Sequence, residues 1–226
     1  MNTPTSEDVY VQIPSIKRAQ AARSLVYQVF SRLFIYPDSP EQQAFVQCDA
    51  WPLLESAREQ LPYSIDMLLS LQAPEPDLEL PVTYTRLFDN CSGRAMLSLH
   101  EKDHRSESPD SLWEDLIRFY EHFGIRYELG GINKEWPDWI GIELEFMHYL
   151  SALEVAAPSD THAASVIAAQ ADFIDRHLAR WIPRLCDALA KKAPQTPYGA
   201  CAAALGEFVR ADQQFNQQRR PLARAA

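Results

Sequence analysis

Three residues in the middle of the chain have the spacing of a zinc-protease site. His100, Glu101 and His104 form the pattern His-Glu-x-x-His. On an α-helix this spacing puts two imidazoles one turn apart on one face, where they can bind Zn²⁺. The intervening glutamate can then deprotonate a metal-bound water. The pattern therefore gives one hypothesis for this chain, a zinc-dependent hydrolase.

The residues after the second histidine do not continue the pattern. Glu107 and Asp110 stand where the metzincin signature has glycine and histidine. Residues 105–109 end in proline and have the composition of a helix exit and loop, whereas a catalytic helix usually continues. A more distant third ligand could come from Glu121 or His122, which no pattern distinguishes. The alternative interpretation is a polar, partly exposed helix end or loop with solvated charges.

The composition indicates an acidic protein of one domain. The chain has 226 residues, of which 46% are hydrophobic, and this suits a substantial core. The net charge of −10 and the pI near 5.0 exclude nucleic acid as a general partner and favour cationic partners. With 7 Gly against 16 Pro, we do not expect a glycine-rich phosphate loop.

Cysteine usage and hydropathy predict a cytoplasmic location. The 4 cysteines form no Cys-x-x-Cys pair, which indicates reduced thiols. No apolar run reaches the roughly 20 residues that a membrane span requires. The first residues lack the apolar region of a secretory signal. We therefore expect a soluble cytoplasmic protein without a membrane span.

Apolar residues recur with helical spacing along most of the chain, and no convincing alternation typical of strands occurs. The strongest pattern lies at about 138–154, where Glu143 falls inside a wide apolar arc. The pattern over 166–189 predicts a long helix with a kink or break at Pro183. We predict an all-α fold, a single globular domain of about eight to ten helices. Its expected divisions are a flexible N-terminus at 1–15, a helical domain at 16–215 with a link near 124–137, and a disordered tail at 216–226.

Five segments occur in an order and spacing that resemble a family of helical chaperones. Three of them are Tyr84-Thr85-Arg86-Leu87-Phe88, a Ser/Leu/His/Glu-rich segment at 97–108, and Phe119-Tyr120-x-x-Phe123-Gly124-Ile125. The other two are Pro137-Asp138-x-Ile140-x-x-Glu143-Leu144-Glu145-Phe146-Met147-x-x-Leu150 and Phe173-x-x-x-His177-Leu178-x-x-Trp181-x-Pro183. Together they resemble the redox-enzyme maturation chaperones of the TorD/DmsD/NarJ type, over about residues 23–212.

The resemblance implies a TorD-like helical fold and no catalysis. Such chaperones bind the catalytic subunit of a molybdopterin-containing oxidoreductase, often through its twin-arginine leader, and hold it until the cofactor is inserted. No cofactor is tightly bound, although some members contact molybdopterin guanine dinucleotide or GTP transiently. The resemblance also implies a monomer or weak dimer without a nucleic-acid partner.

The segment at 97–108 is similar to the branch that serves nitrate-reductase-like enzymes and the type II dimethyl-sulfoxide-reductase family. This similarity explains the His-Glu-x-x-His pattern as a sequence feature of the family and not as a set of metal ligands. One position departs from the family pattern, because members often have Pro-Asp-His before the central helix and Trp139 follows Asp138 here. A role that rests on that histidine, such as nucleotide contact, is therefore not carried over to this chain.

The chemistry of a leader peptide gives a set of candidate binding residues. A twin-arginine leader has a cationic start and an apolar middle, so it needs an apolar groove with carboxylates at its edge. We predict that five apolar side chains form the groove and that three carboxylates meet the arginines. These are Tyr84, Leu87, Phe88, Trp136 and Trp139 for the groove, and Asp138, Glu143 and Glu145 for the arginines.

The same residues have structural alternatives. Tyr84, Leu87 and Phe88 have helical spacing and also fit core positions. Glu143 could be satisfied by an internal arginine or a backbone amide. His177 lies on an apolar row and is predicted to be a hydrogen-bonded core histidine. A third functional hypothesis is a helical adaptor for some other basic amphipathic partner.

Overall fold

The computed structural model describes residues 15–69, 79–89, 97–127 and 136–225, and these residues are predominantly helical. They contain no β-strand, which confirms the predicted all-α class. A π-helical turn, Phe45–Asp49, and a 3₁₀ turn, Glu101–His104, accompany the α-helices. In chain order the helices are α1 Ser15–Leu33, α2 Pro40–Ala44, α3 Ala50–Arg58, α4 Asp66–Leu69, α5 Leu80–Phe88, α6 Pro109–His122, α7 Ile140–Ala156, α8 Asp160–Arg176, α9 Leu178–Lys192 and α10 Pro197–Ala225.

Local sequence explains where several helices begin and end. Ser39, Ser108 and Ser159 each accept a backbone N–H of the first turn with their hydroxyl oxygen, at the starts of α2, α6 and α8. Gly124 follows α6 with φ +80°, a conformation that an L side chain rarely adopts. None of the helices in the described residues combines the length and the apolar character that a membrane span requires.

The core lies around α7, as its apolar arc predicts. Leu144, Met147 and Leu150 are fully buried, and α7 packs mainly against α1 and α8. The long helix α10 packs against α8 and α9. Because apolar residues occupy most of its circumference, α7 is covered on several sides, which is how the bundle closes.

The break in the long helical pattern lies at His177 rather than at the predicted Pro183. His177 has φ −119° and ψ −89° and separates α8 from α9, whereas α9 continues through Pro183. The imidazole of His177 is bonded to Glu101 far away in the sequence. That contact fixes the bend at His177, and no local propensity signals it.

A buried ionic network connects α1, α7, α8 and α10. Arg23 is fully buried and donates from Nε to Asp212 Oδ1 at 2.5 Å and from Nη2 to Gln170 Oε1 at 2.7 Å. Glu154 Oε2 lies 3.4 Å from Arg23 Nη1, and Tyr27 donates to Asp212 Oδ2 at 2.7 Å. Burial alone would raise the pKa of Asp212, but the Arg23 guanidinium lowers it. A charged pair is therefore kept in the core by hydrogen bonds from four helices.

The last helix corrects the expected disordered tail at 216–226. Instead of ending near 215, α10 extends to Ala225. Asn216 is fully buried and donates to the Asp212 carbonyl at 2.9 Å, while Arg219 and Arg220 form ion pairs with Glu154 and Asp172. These long-range partners stabilise a basic segment that the sequence alone suggests is disordered. Residues 1–14 of the predicted N-terminal segment and residues 128–135 of the predicted link lie outside the described part.

We expect Arg23→Ala to lower the free energy of unfolding by about 3–5 kcal/mol, because it leaves Asp212 charged and buried without its cation. Urea denaturation monitored by circular dichroism measures this loss. The matched control is Arg118→Ala, whose partner Glu114 lies 3.4 Å away in an exposed pair. That variant should change the free energy by about 1 kcal/mol or less. Equal losses in the two variants would contradict the assignment.

Candidate functional site

The structure does not give the zinc-like residues the geometry that the hydrolase hypothesis requires. His100 is extended, with φ −113° and ψ 132°, and only the following residues, Glu101–His104, form a 3₁₀ turn. The two imidazoles therefore do not share one face of an α-helix. His100 Nδ1 lies 3.5 Å from Asp138 Oδ1, and His104 Nε2 donates to the Ser98 carbonyl at 2.9 Å. Among the described residues, no group of three His, Cys, Asp or Glu side chains is arranged to hold a metal.

The 97–104 segment is instead joined to the residues that lead into α7. The backbone N–H of Glu101 donates to the Asp138 carbonyl at 2.9 Å, and that of Lys102 donates to Asp138 Oδ2 at 3.0 Å. His100 and Trp139 form an isolated antiparallel bridge. Burial alone would raise the pKa of Asp138, but the nearby His100 imidazole and the hydrogen bond from the Lys102 backbone lower it. Asp138 thus caps the 3₁₀ turn from inside the protein.

Three carboxyl groups, Glu101, Asp138 and Glu143, are fully buried in this region, and we refer to them as the carboxyl cluster. Glu101 forms ion pairs with Arg105 and His177. Glu143 Oε2 accepts a hydrogen bond from Trp181 Nε1 at 3.1 Å. Burial, together with the nearby charges of Glu101 and Asp138, raises the pKa of Glu143 well above its usual range. Folding therefore shifts the protonation equilibrium of Glu143 toward the neutral carboxyl, relative to an exposed glutamate.

His177 connects the carboxyl cluster to the surface. Its Nδ1 donates to Glu101 Oε2 at 2.9 Å, and its Nε2 lies 3.3 Å from Asp115 Oδ2 on α6. Burial opposes protonation, but the carboxylates of Asp115 and Glu101 beside the ring raise the pKa of His177. Asp115 also pairs with Arg176, beside a polar cleft of about 420 Å³. His177 is thus a buried, hydrogen-bonded histidine, as the structural alternative predicted.

The predicted groove residues on α5 lie beneath an exposed aromatic surface. Tyr84 and Leu87 are buried, and the Tyr84 hydroxyl donates to the Phe34 carbonyl at 2.8 Å. Phe88 is half-buried, with its ring 5.0 Å from that of Tyr84. The Tyr36 ring lies edge-on to Tyr84 at 5.2 Å and is 43% exposed.

We name Ile35, Tyr36 and Phe88 the α5 aromatic surface. Ile35 is 43% exposed, like its neighbour Tyr36. Sequence reasoning missed both residues because they follow the last turn of α1. The available signal was the continued apolar run up to Tyr36-Pro37, which a surface loop does not need.

The second predicted group lies at the entry to α7, where the structure separates exposed from buried members. Trp136 is 46% exposed, while Asp138 and Glu143 are fully buried and Glu145 is exposed. Trp139 is half-buried and packs over Gly141 so closely that a Cβ there would come within 2.0 Å of the ring. Asp138 and Glu143 therefore lie inside the protein and not at the edge of a groove.

Trp136 has two partners that sequence reasoning missed. Its ring stacks on that of Trp113 of α6, with centroids 4.5 Å apart and planes at 16°. The Lys102 ammonium lies 5.5 Å and 5.6 Å from the Trp113 and Trp136 centroids. We name Trp113, Trp136 and Lys102 the tryptophan platform. No short-range pattern links these residues, because they come from three separate segments.

Comparison with known proteins identifies the family. Residues 52–187 match the family described as the nitrate reductase delta subunit, which covers more than half of the chain. This chain belongs to the nitrate reductase delta subunit family. The match includes the carboxyl cluster, the tryptophan platform and α5, and it confirms the resemblance to NarJ-type maturation chaperones.

Curated relatives of this nitrate reductase delta subunit family member are assembly chaperones. The selenate reductase assembly chaperone of Thauera selenatis is 32% identical over 187 residues, which are 82% of this chain and 84% of the relative. The chlorate reductase assembly chaperone of Ideonella dechloratans is 32% identical over 185 residues, 81% of this chain and 83% of the relative. These family members are chaperones and not enzymes, so the zinc-hydrolase hypothesis is wrong.

The fold also has a counterpart among solved structures. A crystal structure of a protein assigned to redox-enzyme maturation, from Archaeoglobus fulgidus, matches with a TM-score of 0.50 and 19% identity. The match covers 83% of this chain and 93% of that chain. At this identity the likeness establishes the helical fold of the nitrate reductase delta subunit family member and nothing further.

We expect Glu143→Gln to be at least as stable as the wild type at about pH 8. A carboxyl whose pKa is raised by folding stabilises the fold below its unfolded pKa and loses that contribution as pH rises through the folded pKa. The amide keeps an acceptor for Trp181 and carries no charge, so this loss should disappear in the variant. Urea denaturation at about pH 5 and about pH 8 measures the difference.

Glu145→Gln is the control for that measurement, since Glu145 is exposed on the same helix. It should show the pH dependence of the wild type. A Glu143→Gln variant that is less stable than the wild type by more than about 2 kcal/mol at about pH 8 would show that Glu143 is needed as an anion.

Proposed function

We propose that this protein is an assembly chaperone for the catalytic subunit of a molybdopterin-containing oxidoreductase, which we call the client. It binds the client in the cytoplasm through its twin-arginine leader and holds it until the cofactor is inserted. The assembly chaperones for selenate, chlorate and perchlorate reductases among its relatives support the general role. The observation that carries leader binding is the exposed α5 aromatic surface on a strongly acidic protein.

The chemistry of the α5 aromatic surface suits an apolar segment with a cationic start. Tyr36 and Ile35 present apolar area to solvent, and Tyr84 supports the Tyr36 ring from below. Exposed aromatic residues with fixed orientation are typical of binding surfaces, because little side-chain entropy is lost on binding. Asp38 and Glu41 follow closely in the sequence and are exposed. They can meet the guanidinium groups of the leader in charge-assisted hydrogen bonds.

This proposal changes the role first suggested for two of the acidic residues. Asp138 and Glu143 were predicted to meet the arginines, but both are buried and bonded within the protein. An arginine of the leader could reach these two carboxyl groups only if the core opened. We therefore treat Asp138 and Glu143 as positioning residues, and we assign contact with the arginines to Asp38 and Glu41.

The proposal requires no tightly bound cofactor and no nucleic acid. Transient contact with molybdopterin guanine dinucleotide or GTP stays a prediction, and so does a monomeric or weakly dimeric state. The alternative of a helical adaptor for another basic partner predicts that any cationic amphipathic peptide binds equally well. A leader whose two arginines are replaced by lysines separates these cases, because only arginine offers a planar, bidentate donor.

We take as the client the molybdoenzyme whose gene lies beside the gene of this protein. We expect the double variant Tyr36→Ser, Asp38→Lys to weaken binding of its leader peptide by about tenfold or more. The variant removes an aromatic contact and replaces an attractive charge with a repulsive one. Isothermal titration calorimetry measures the dissociation constant, and the thermal midpoint checks the fold. Glu55→Lys, an exposed charge reversal on α3, is the control and should bind nearly as the wild type.

Two results would overturn the proposal. One is the absence of wild-type binding at about 500 µM peptide, a concentration that detects even weak association. The other is normal cofactor loading of the client in a strain without this protein. Equal weakening by the Glu55→Lys control would instead assign leader binding to general charge attraction.

A further inference from the structure

The tryptophan platform is an exposed feature that the proposed leader site does not use. The large apolar side chains exposed in the described residues are Ile35, Tyr36, Val82 and Trp136. Trp136 is separated from the others by position in the fold, since its partners come from α6 and the 3₁₀ turn. Its exposed face is available to a partner, and tryptophan is enriched among the residues that dominate binding energy at interfaces.

The platform is held in a fixed arrangement before any partner arrives. Trp136 stacks on Trp113, and its carbonyl accepts the backbone N–H of Trp139 at 2.9 Å. Trp113 lies one turn inside α6, which Ser108 caps. Because both rings are restrained by backbone elements, docking against them requires little additional ordering of the protein.

Lys102 gives the platform a charge opposite to that of the whole protein. Its backbone N–H is fixed by Asp138 Oδ2, and its ammonium faces both indole rings. Within the described part of the chain, the ammonium of Lys102 makes no ion pair with a carboxylate. A protein with net charge −10 therefore presents, beside its exposed tryptophan, an ammonium that is not in ion-pair contact with a carboxylate, although its charge helps to lower the pKa of the buried Asp138.

We propose that the tryptophan platform binds a short segment of the client that carries a carboxylate next to an apolar or aromatic side chain, outside the cationic leader. This inference rests on the proposed function. The carboxylate pairs with the Lys102 ammonium, and the adjacent apolar group covers Trp136. The cationic leader is a poor occupant because Lys102 repels it.

A nucleotide is the other occupant that stacked rings and a cation could suggest. Phosphate groups are usually bound by several cations or by backbone N–H groups of a helix start. The platform places Lys102 alone against the rings, and its backbone N–H is already bonded to Asp138. A single carboxylate therefore matches the available charge better than a polyphosphate.

The test uses two probes. One is the cofactor-free catalytic subunit of the client without its leader, and the other is the leader peptide alone. Trp136→Ala and Lys102→Glu should each weaken binding of the leaderless subunit by about tenfold, and change leader-peptide affinity by less than about twofold. Lys102→Arg should bind nearly as the wild type, because arginine keeps the charge and the ring contact. Lys191→Glu, an exposed charge reversal near the end of α9, is the matched control and should have no effect.

Each remaining outcome overturns the inference in a distinguishable way. If the wild type binds the leader peptide but not the leaderless subunit, the platform has no such partner, while the proposed function stands. If both platform variants lose leader binding as well, the platform belongs to the leader site. If GTP quenches the fluorescence of wild type but not of Trp136→Phe, the occupant is a nucleotide. If neither probe binds the wild type, the proposed function itself fails.

Discussion

The burial of Glu101, Asp138 and Glu143 in one region constrains the rest of this end of the molecule. Each carboxyl group removed from water must find hydrogen-bond donors or a proton, because an uncompensated buried charge costs several kcal/mol. The donors come from separate parts of the chain: the guanidinium of Arg105, the imidazole of His177, and the backbone N–H of Lys102 in the 3₁₀ turn. The 97–104 segment, the entry to α7 and the break between α8 and α9 are therefore fixed together.

At the opposite end of the bundle, another buried carboxylate is compensated in a different way. Asp212 is fully compensated, since Arg23 and the hydroxyls of Tyr27 and Tyr63 all donate to its carboxylate. In the carboxyl cluster, burial and the nearby charges of Glu101 and Asp138 raise the pKa of Glu143. The first arrangement holds helices in place over a wide pH range. In the second, the hydrogen bond from Trp181 Nε1 to Glu143 Oε2 joins α9 to the first turn of α7.

The parts of this structure that the sequence predicts are those set by local periodicity. The apolar arc of α7 predicts a central helix, and the position of Glu143 inside that arc already implies burial. The bend at His177 and the extension of α10 depend on partners more than 45 residues away, such as Glu101 for His177 and Glu154 for Arg219. A single sequence holds no information on those pairings. The same reason explains why Trp113 was not associated with Trp136.

Burial also decides which acidic residues can act on a partner. A carboxylate that already accepts internal donors, like that of Asp138, gains little from an arriving guanidinium and would lose its existing bonds. An exposed carboxylate such as that of Asp38 keeps its hydration until binding and can exchange it for an ion pair. Acidic residues near aromatic ones in a sequence thus fall into two classes with different effects. Asp138, of the buried class, fixes the backbone of Lys102, and the exposed class is available to a cationic partner.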